Sequence, residues 1–231
     1  TFKTLTVGGT ASVDFGKDVI EVLELNESGV GSRASLYAGS ALISDIQLAS
    51  SGGHLVIDSW DTVPDVVIDI GSGQVTLVND MTLNSFELNS GDLNFNNLTA
   101  QTISLNNSNL SIEHSLSTND LQLNNATLNL NLIDTVALGA VNSNLTAFTV
   151  NATDISLNKS SMITDNVTVI NEISLVNEAV ISTFSQEATP NKLFTLDVSA
   201  GTSISIDETS KIDVGGKGYA ASMGYGFNPI F

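Results

Sequence analysis

The stretch at residues 86–95 reads FELNSGDLNF, and the same ten-residue pattern returns at 103–112 as ISLNNSNLSI and at 121–130 as LQLNNATLNL. Each copy runs apolar-x-apolar, then small polar residues, then apolar-x-apolar again. An apolar period of 2 is typical of β-strands with one inward face. Strands this short need stacked copies of themselves to bury that face. The pattern therefore predicts a solenoid.

Weaker copies extend the repeat in both directions. They begin at Leu23, Ile46, Ile68, Val136, Ile155, Ile173 and Leu196. A third apolar position recurs between copies, at Met81, Leu98, Leu116, Val150 and Val167. We predict an all-β chain that forms a single-stranded, right-handed parallel β-helix of about ten three-faced coils, each of roughly 15 to 23 residues. A left-handed helix would show a stricter six-residue period, and a β-sandwich is the structural alternative.

The residue after the first apolar pair of each copy predicts the corner of the coil. It is asparagine or glycine in seven copies, namely Asn26, Asn89, Asn106, Asn124, Asn158, Gly71 and Gly139. Both residue types tolerate left-handed backbone angles. We therefore expect a left-handed corner at this position, with stacked asparagine side chains that hydrogen-bond from coil to coil.

Three regions follow from where the pattern begins and ends. We expect an irregular coil or cap over residues 1–22, the parallel β-helix over 23–214, and a glycine- and aromatic-rich tail or cap over 215–231. A cap at each end would protect the open strand edges of a solenoid. Because the first residue is Thr1, we interpret the chain as a processed protein or a piece of a larger one.

Composition and charge exclude several classes of partner. The 231 residues carry 7 Lys plus Arg against 25 Asp plus Glu, a formal charge of −18. This charge repels the phosphates of nucleic acids and anionic membrane surfaces. Cysteine is absent, which removes disulfides and thiolate metal sites, and no apolar run is long enough to insert into a membrane. We expect neither a nucleic-acid partner nor membrane insertion.

The residues of the repeat give little indication of catalytic activity. Polysaccharide lyases generally need a Lys or Arg as the base, yet no cation lies between Arg33 and Lys159. Hydrolases of this shape use clustered aspartates, and the chain has no adjacent Asp pair. The two histidines, His54 and His114, are too far apart in sequence for a zinc-binding motif. We therefore predict a chain without catalytic residues.

One local feature resembles a ligand site. Asp58, Trp60 and Asp61 place the only tryptophan among carboxylates, in a segment that interrupts the regular coils. The plainer interpretation is a longer loop whose tryptophan covers the side of the β-helix. The functional interpretation is a ligand contact, in which the tryptophan stacks on a sugar or a calcium ion assists binding. We expect no cofactor, with calcium as an alternative that no motif supports.

The coils resemble a broad group of proteins, the β-helical stalks of large bacterial surface and secreted proteins, including filamentous-haemagglutinin-like adhesins and autotransporter passengers. The resemblance covers residues 23–214 and is carried by the Ile-Ser-Leu-Asn type of coil, the scarcity of Lys, Arg and Cys, and SKIDVGGKGY at 210–219. It implies an extracellular or cell-surface location and a role in adhesion or as a spacer. It provides no catalytic residues that map onto this chain.

These observations favour a non-catalytic structural or adhesive segment that binds an extracellular surface or a glycan through its faces. The alternatives are a polysaccharide-active β-helix enzyme or its carbohydrate-binding relative, and a fibre protein that self-associates end to end through its terminal coils.

Overall fold

The fold is described from a computed structural model. The structure describes the backbone of eight strands between residues 2 and 77, and then residues 81–184 and 196–215; side chains are described for 82–184 and 196–215. All regular elements within these residues are strands. They are β1 (Phe2–Val7), β2 (Thr10–Asp14), β3 (Val19–Ser28), β4 (Arg33–Gly39), β5 (Leu42–Ser51), β6 (His54–Trp60), β7 (Asp65–Asp69), β8 (Gln74–Leu77), β9 (Met81–Asn106), β10 (Ser108–Asn124), β11 (Thr127–Val141), β12 (Asn144–Asn158), β13 (Ser161–Ile163), β14 (Asn166–Val176), β15 (Val180–Ser182), β16 (Asp197–Ala200), β17 (Ser203–Ile206) and β18 (Lys211–Asp213).

The pairing of these strands confirms the predicted parallel β-helix. Within the described residues, one sheet runs in the order β1-β3-β5-β7-β9-β10-β11-β12, and a second contains β2-β4-β6-β8. All the pairs are parallel. Each strand therefore lies beside its counterpart one coil earlier, which satisfies backbone hydrogen bonds that a short strand could not satisfy alone.

Three columns of inward side chains form the core, and we call the corresponding sides of the coil faces A, B and C. Face A contains the pair Leu121 and Leu123, face B contains Leu128 and Leu130, and face C begins at Ile133. Counterparts of these residues are buried from Leu83 to Ile181. The predicted third apolar position is confirmed where it is described, because Leu98, Leu116, Val150 and Val167 are all fully buried.

The register along face A is tighter than the sequence pattern indicates. Its column runs Ile103, Leu121, Leu138, Ile155 and Ile173, with steps of 17 or 18 residues. The step then lengthens sharply, because Ile173 pairs with Ile204.

For three copies of the repeat, the predicted first residue is therefore wrong. Val136 is 49% exposed and lies two residues before Leu138, the residue that occupies the inward position. Leu196 precedes a face C strand, whereas Ile204 begins face A in that coil. Ile68 pairs with Leu48, so the match to Ile46 is Val66. For Val136 and Ile68, an apolar residue two positions away hid the correct register, because a shift of two keeps the same side of a strand inward.

The left-handed corner exists, but it lies one residue later than predicted. Asn106, Asn124 and Asn158 complete their strands, and positive φ angles occur in the residues that follow the strand ends, namely Asn107, Asn125, Asn142, Lys159 and Asn177, with Glu178 directly after the last of these. Asn89 is not a left-handed corner either, because the positive φ of its copy is at Gly91, two residues later. The left-handed turn points the backbone amide of Asn125 at the carbonyl of Val141 in the next coil, at 3.0 Å. Gly139 is not a corner, because it pairs with Gln122 within a strand. Gly71 and the side chain of Asn26 lie outside the described residues.

A buried serine follows this corner in several coils and links one coil to the next. The hydroxyl of Ser143 accepts from the backbone amide of Ala126 at 3.0 Å and donates to the carbonyl of Val141 at 2.8 Å. Ser160 repeats this arrangement with the amide of Ser143 and the carbonyl of Asn158. Each hydroxyl thus satisfies a backbone amide inside the corner, where water cannot replace it.

Replacing Ser143 or Ser160 by alanine is expected to lower the free energy of unfolding by about 1 to 3 kcal/mol each, because a buried backbone amide loses its acceptor. Urea denaturation followed by circular dichroism measures the change. Ser117→Ala is the matched control, since Ser117 is exposed on face C. Equal effects of the buried and exposed substitutions would contradict a structural role for the corner hydroxyls.

Candidate functional site

The side chains of the predicted ligand contact all lie outside the described residues. Asp58 and Trp60 belong to β6, whose backbone pairs in parallel with β4 and β8, and the side chains of β6 lie outside the described residues. Asp61, the residue after β6, lies outside them entirely. The contact at Asp58, Trp60 and Asp61 therefore stays a prediction, and so does the plainer interpretation of Trp60 as a cover.

The described coils contain a groove that the sequence pattern did not indicate. It has a volume of about 710 Å³ and runs along the outside of face B, at the corner where the chain turns toward face C. One wall is a register column that crosses four coils: Asn94, Ser111, Asn129 and Thr146. Because strand positions alternate between the two sides of a sheet, these residues point outward while their neighbours fill the core. The groove therefore offers a row of small polar side chains.

A β-bulge in β10 shapes the middle of this groove. The register of β10 against both neighbouring strands shifts between Ile112 and Ser115, so Glu113 and His114 fit into a space that holds one residue in β9. Bulges re-aim side chains and are common at sheet rims near functional sites. Here the bulge exposes both residues and brings Glu113 into the groove lining, where its carbonyl accepts from the Asn131 amide at 2.6 Å.

Two phenylalanines line one end of the groove. Phe148 follows Asn131 by one coil, and its ring stacks on that of Phe184 with centroids 4.8 Å apart and planes inclined by 24°. Phe148 is 41% exposed, although Asn131 has the same position one coil earlier and the neighbouring outward column from Asn94 to Thr146 carries only Asn, Ser and Thr. An aromatic ring at an outward position of an otherwise polar column is the sequence signal that could have identified this pair.

The chain also departs from its regular path at this corner. In the regular coils, face B connects to face C through a short link, as from Ala147 to Val150 or from Thr164 to Val167. In the last such link the chain runs from Thr183 to Val198, and residues 185–195 lie outside the described residues. This insertion produces the long step of the final coil, and it begins directly after Phe184.

A second depression lies on the outside of face A. Gly139 and Gln122 are among the residues that line it, and the side chain of Gln122 lies so close to Gly139 that a Cβ atom there would clash with its Oε1. The amide of Gln122 donates to a carboxylate oxygen of Asp120 at 2.6 Å. Asp154 and Glu172 lie on the far side, on successive coils, and both are exposed. Asp154 and Glu172 are register partners, so these two carboxylates are neighbours on the surface, and neither is buried.

Asp207 has the clearest pKa shift among the described residues, and its surroundings give it a structural role. Its Oδ2 accepts from the backbone amide of Asn177 at 2.7 Å, one coil below, and its Oδ1 accepts from the amides of Ser210 and Thr209. The bond from Asn177, followed by hydrogen bonding from Ser210 and Thr209, holds the pKa of Asp207 well below its ordinary value. The carboxylate closes its own turn and caps the corner below it.

Replacing Asp207 by asparagine is expected to lower the urea midpoint at pH 7, because an amide nitrogen replaces one of the two accepting oxygens. The folded pKa of Asp207 lies below its unfolded value of about 3.9, so its stabilisation is complete above that pH and is lost as the pH falls below it. The gap between wild type and variant should therefore shrink on acidification. Glu208→Gln removes the same charge from an exposed side chain in the same turn and should leave the midpoint unchanged. A gap that does not depend on pH would contradict this role.

Among the described residues, no group of three or more His, Asp or Glu could hold a metal ion, and no helix there could span a membrane. His114 is exposed and belongs to the bulge. Comparison with protein-family models, with curated proteins and with solved structures finds no match to this chain.

Proposed function

We propose that this chain is a non-catalytic, adhesive segment of a bacterial exported protein, placed at the cell surface or outside the cell. It binds an extracellular surface through side chains on the outside of its coils. The observation that supports this proposal most directly is that outward side chains of successive coils hydrogen-bond to one another. Asn106 donates to Asn89 at 3.0 Å, and Asn177 donates to Asn158 at 2.9 Å.

This arrangement suits binding because it reduces the entropy lost when a ligand immobilises surface side chains. The same kind of pair recurs outside face B, where Asn109 donates to Asp92 and Ser161 donates to Asn144, each at 2.6 Å. Equivalent groups thus repeat from coil to coil along a rigid axis. A repeating surface can engage a repeating partner at several points at once, which raises affinity without any single strong contact.

The non-catalytic part of the proposal rests on the carboxylates. Catalytic acids and bases usually have perturbed pKa values within a cleft. The carboxylate with the clearest shift, Asp207, has both oxygens occupied by its own turn and the coil below. Glu113, which lines the groove, has no second carboxylate in the same lining. The charge of −18 also disfavours nucleic acid as the partner.

An adhesion assay combined with a turnover assay tests this proposal. Beads coated with the full chain are incubated with immobilised polysaccharides and with animal and plant cell surfaces, and the supernatant is assayed for new reducing ends and for unsaturated products. We expect retention of the beads without release of products. Turnover of a polysaccharide that a single Asp or Glu substitution abolishes would establish the enzyme alternative instead, and failure to adhere to any surface would remove the adhesive function.

A further inference from the structure

We infer that the groove along face B binds a neutral glycan chain lying parallel to the axis of the β-helix, with one sugar ring stacked on Phe148. This inference rests on the proposed adhesive function and assigns it a ligand class and a site. It does not use the predicted contact at Asp58, Trp60 and Asp61.

The polar wall of the groove has the chemistry that hydroxyl groups require. Asparagine amides donate and accept hydrogen bonds from the same side chain, and sugar hydroxyls do the same. Asn94, Asn96 and Asn129 line the groove together with Asn131. Asn131 is held in place by its bond to the Glu113 carbonyl, so part of the wall is oriented before any ligand arrives.

The aromatic end of the groove supplies the complementary apolar contact. A sugar ring has one face of C–H groups, and a C–H face packs favourably on the electron-rich face of an aromatic ring. Stacking on Phe184 limits the orientations of the Phe148 ring, while 41% of Phe148 remains accessible. A ring beside a row of amides is a combination suited to a ligand with both hydroxyls and an apolar face.

The charge of the protein and the length of the groove restrict the class of ligand further. Glu113 is the charged residue of the lining, and the chain as a whole is strongly acidic, so a uronate or sulfated polymer would be repelled. The column from Asn94 to Thr146 crosses three coil steps, or about 14 Å. That length suits a short run of sugar units, and the register column directs the run along the axis.

The test measures binding of defined oligosaccharides to the full chain by titration calorimetry and by the side-chain amide signals of ¹⁵N-labelled asparagine. The probes are hexasaccharides of glucose, mannose, galactose and N-acetylglucosamine in their common linkages, with hexagalacturonate as the anionic comparison. We expect at least one neutral hexasaccharide to bind and hexagalacturonate not to bind. Phe148→Ala and Asn129→Ala should each weaken binding tenfold or more, whereas Phe148→Tyr, which keeps the ring, should retain most of the affinity.

Two matched controls lie outside the groove. Ile170→Ala removes an apolar side chain that is 68% exposed at another corner, and Asn119→Ala removes an exposed amide side chain between faces C and A. Both should bind like the wild type. Circular dichroism verifies that every variant is folded.

Three results would overturn the inference. They are tighter binding of hexagalacturonate than of any neutral probe, neutral binding that Phe148→Ala and Asn129→Ala leave unchanged, and no binding of any probe. If the beads still adhere while one of these results holds, the adhesive function stands and the groove is not its site. If the beads do not adhere at all, the proposed function itself fails.

Discussion

Replacing Leu157 by asparagine is expected to lower the free energy of unfolding by about 4 kcal/mol or more. Leu157 is fully buried in the face A column. The substitution removes most of a packed leucine, which costs about 2 to 5 kcal/mol, and it also places an amide in the core without hydrogen-bond partners. Urea denaturation measures the loss, and hydrogen exchange of the amides in β11, β12 and β14 shows whether neighbouring coils open with it.

Ser156→Asn is the matched control for this prediction. Ser156 is the preceding residue, and its side chain points outward and is exposed. Asparagine is a common outward residue in these coils, so we expect a change within about 0.5 kcal/mol. The two substitutions introduce the same side chain one residue apart, and comparable losses at both positions would contradict the inward and outward alternation of β12.

Replacing Asn125 by valine is expected to destabilise the chain by about 2 kcal/mol. Asn125 has a φ of 51°, and a left-handed backbone costs an ordinary L-residue about 1 to 2 kcal/mol, with β-branched residues among the worst. The substitution also removes the bond from the Asn125 amide to Asn107 in the preceding coil, at 3.3 Å. Denaturation midpoints of the two proteins give the difference, and Asn125→Gly should be tolerated because glycine accepts this angle.

Asn124→Val provides the control at the neighbouring position. Asn124 pairs in register with Val141, so the next coil already has valine in the same place. We expect little change from this substitution. If Asn124→Val proved as costly as Asn125→Val, or if Asn125→Val had no effect, the left-handed corner would not be at Asn125.

The architecture could be predicted from the sequence because each coil of a solenoid repeats the same pattern of apolar and polar residues. A period-2 pattern that returns with similar polar turns specifies parallel stacking, and the three decamers at 86–130 stack in the predicted order. Register was harder. Val136 and Leu138 have the same spacing and chemistry as a true start, and only the column of Leu121 and Ile155 selects Leu138.

The corner and the groove show two further limits of the sequence pattern. Consecutive asparagines at 106–107 and 124–125 could each accept the left-handed angle, and the choice of the second depends on the backbone bond to the next coil. The groove depends on a bulge at 113–114 and on two phenylalanines that are far apart in sequence. The apolar pattern predicts which residues point inward. It does not predict a site formed by outward residues of several coils, because the register decides which of those residues lie side by side.

Distances between spin labels test the central claim most directly, and the chain contains no native cysteine that would interfere. Thr99, Asn151, Thr168 and Ser199 belong to one outward column of face C. Cysteine pairs that join Thr99 to each of the others span three, four and five coil steps. We predict backbone separations of about 14, 19 and 24 Å, a constant increment of about 4.8 Å per coil even though the last step crosses the long insertion. Distances that grow with sequence separation instead, or that show no constant increment, would contradict the β-helix and its register.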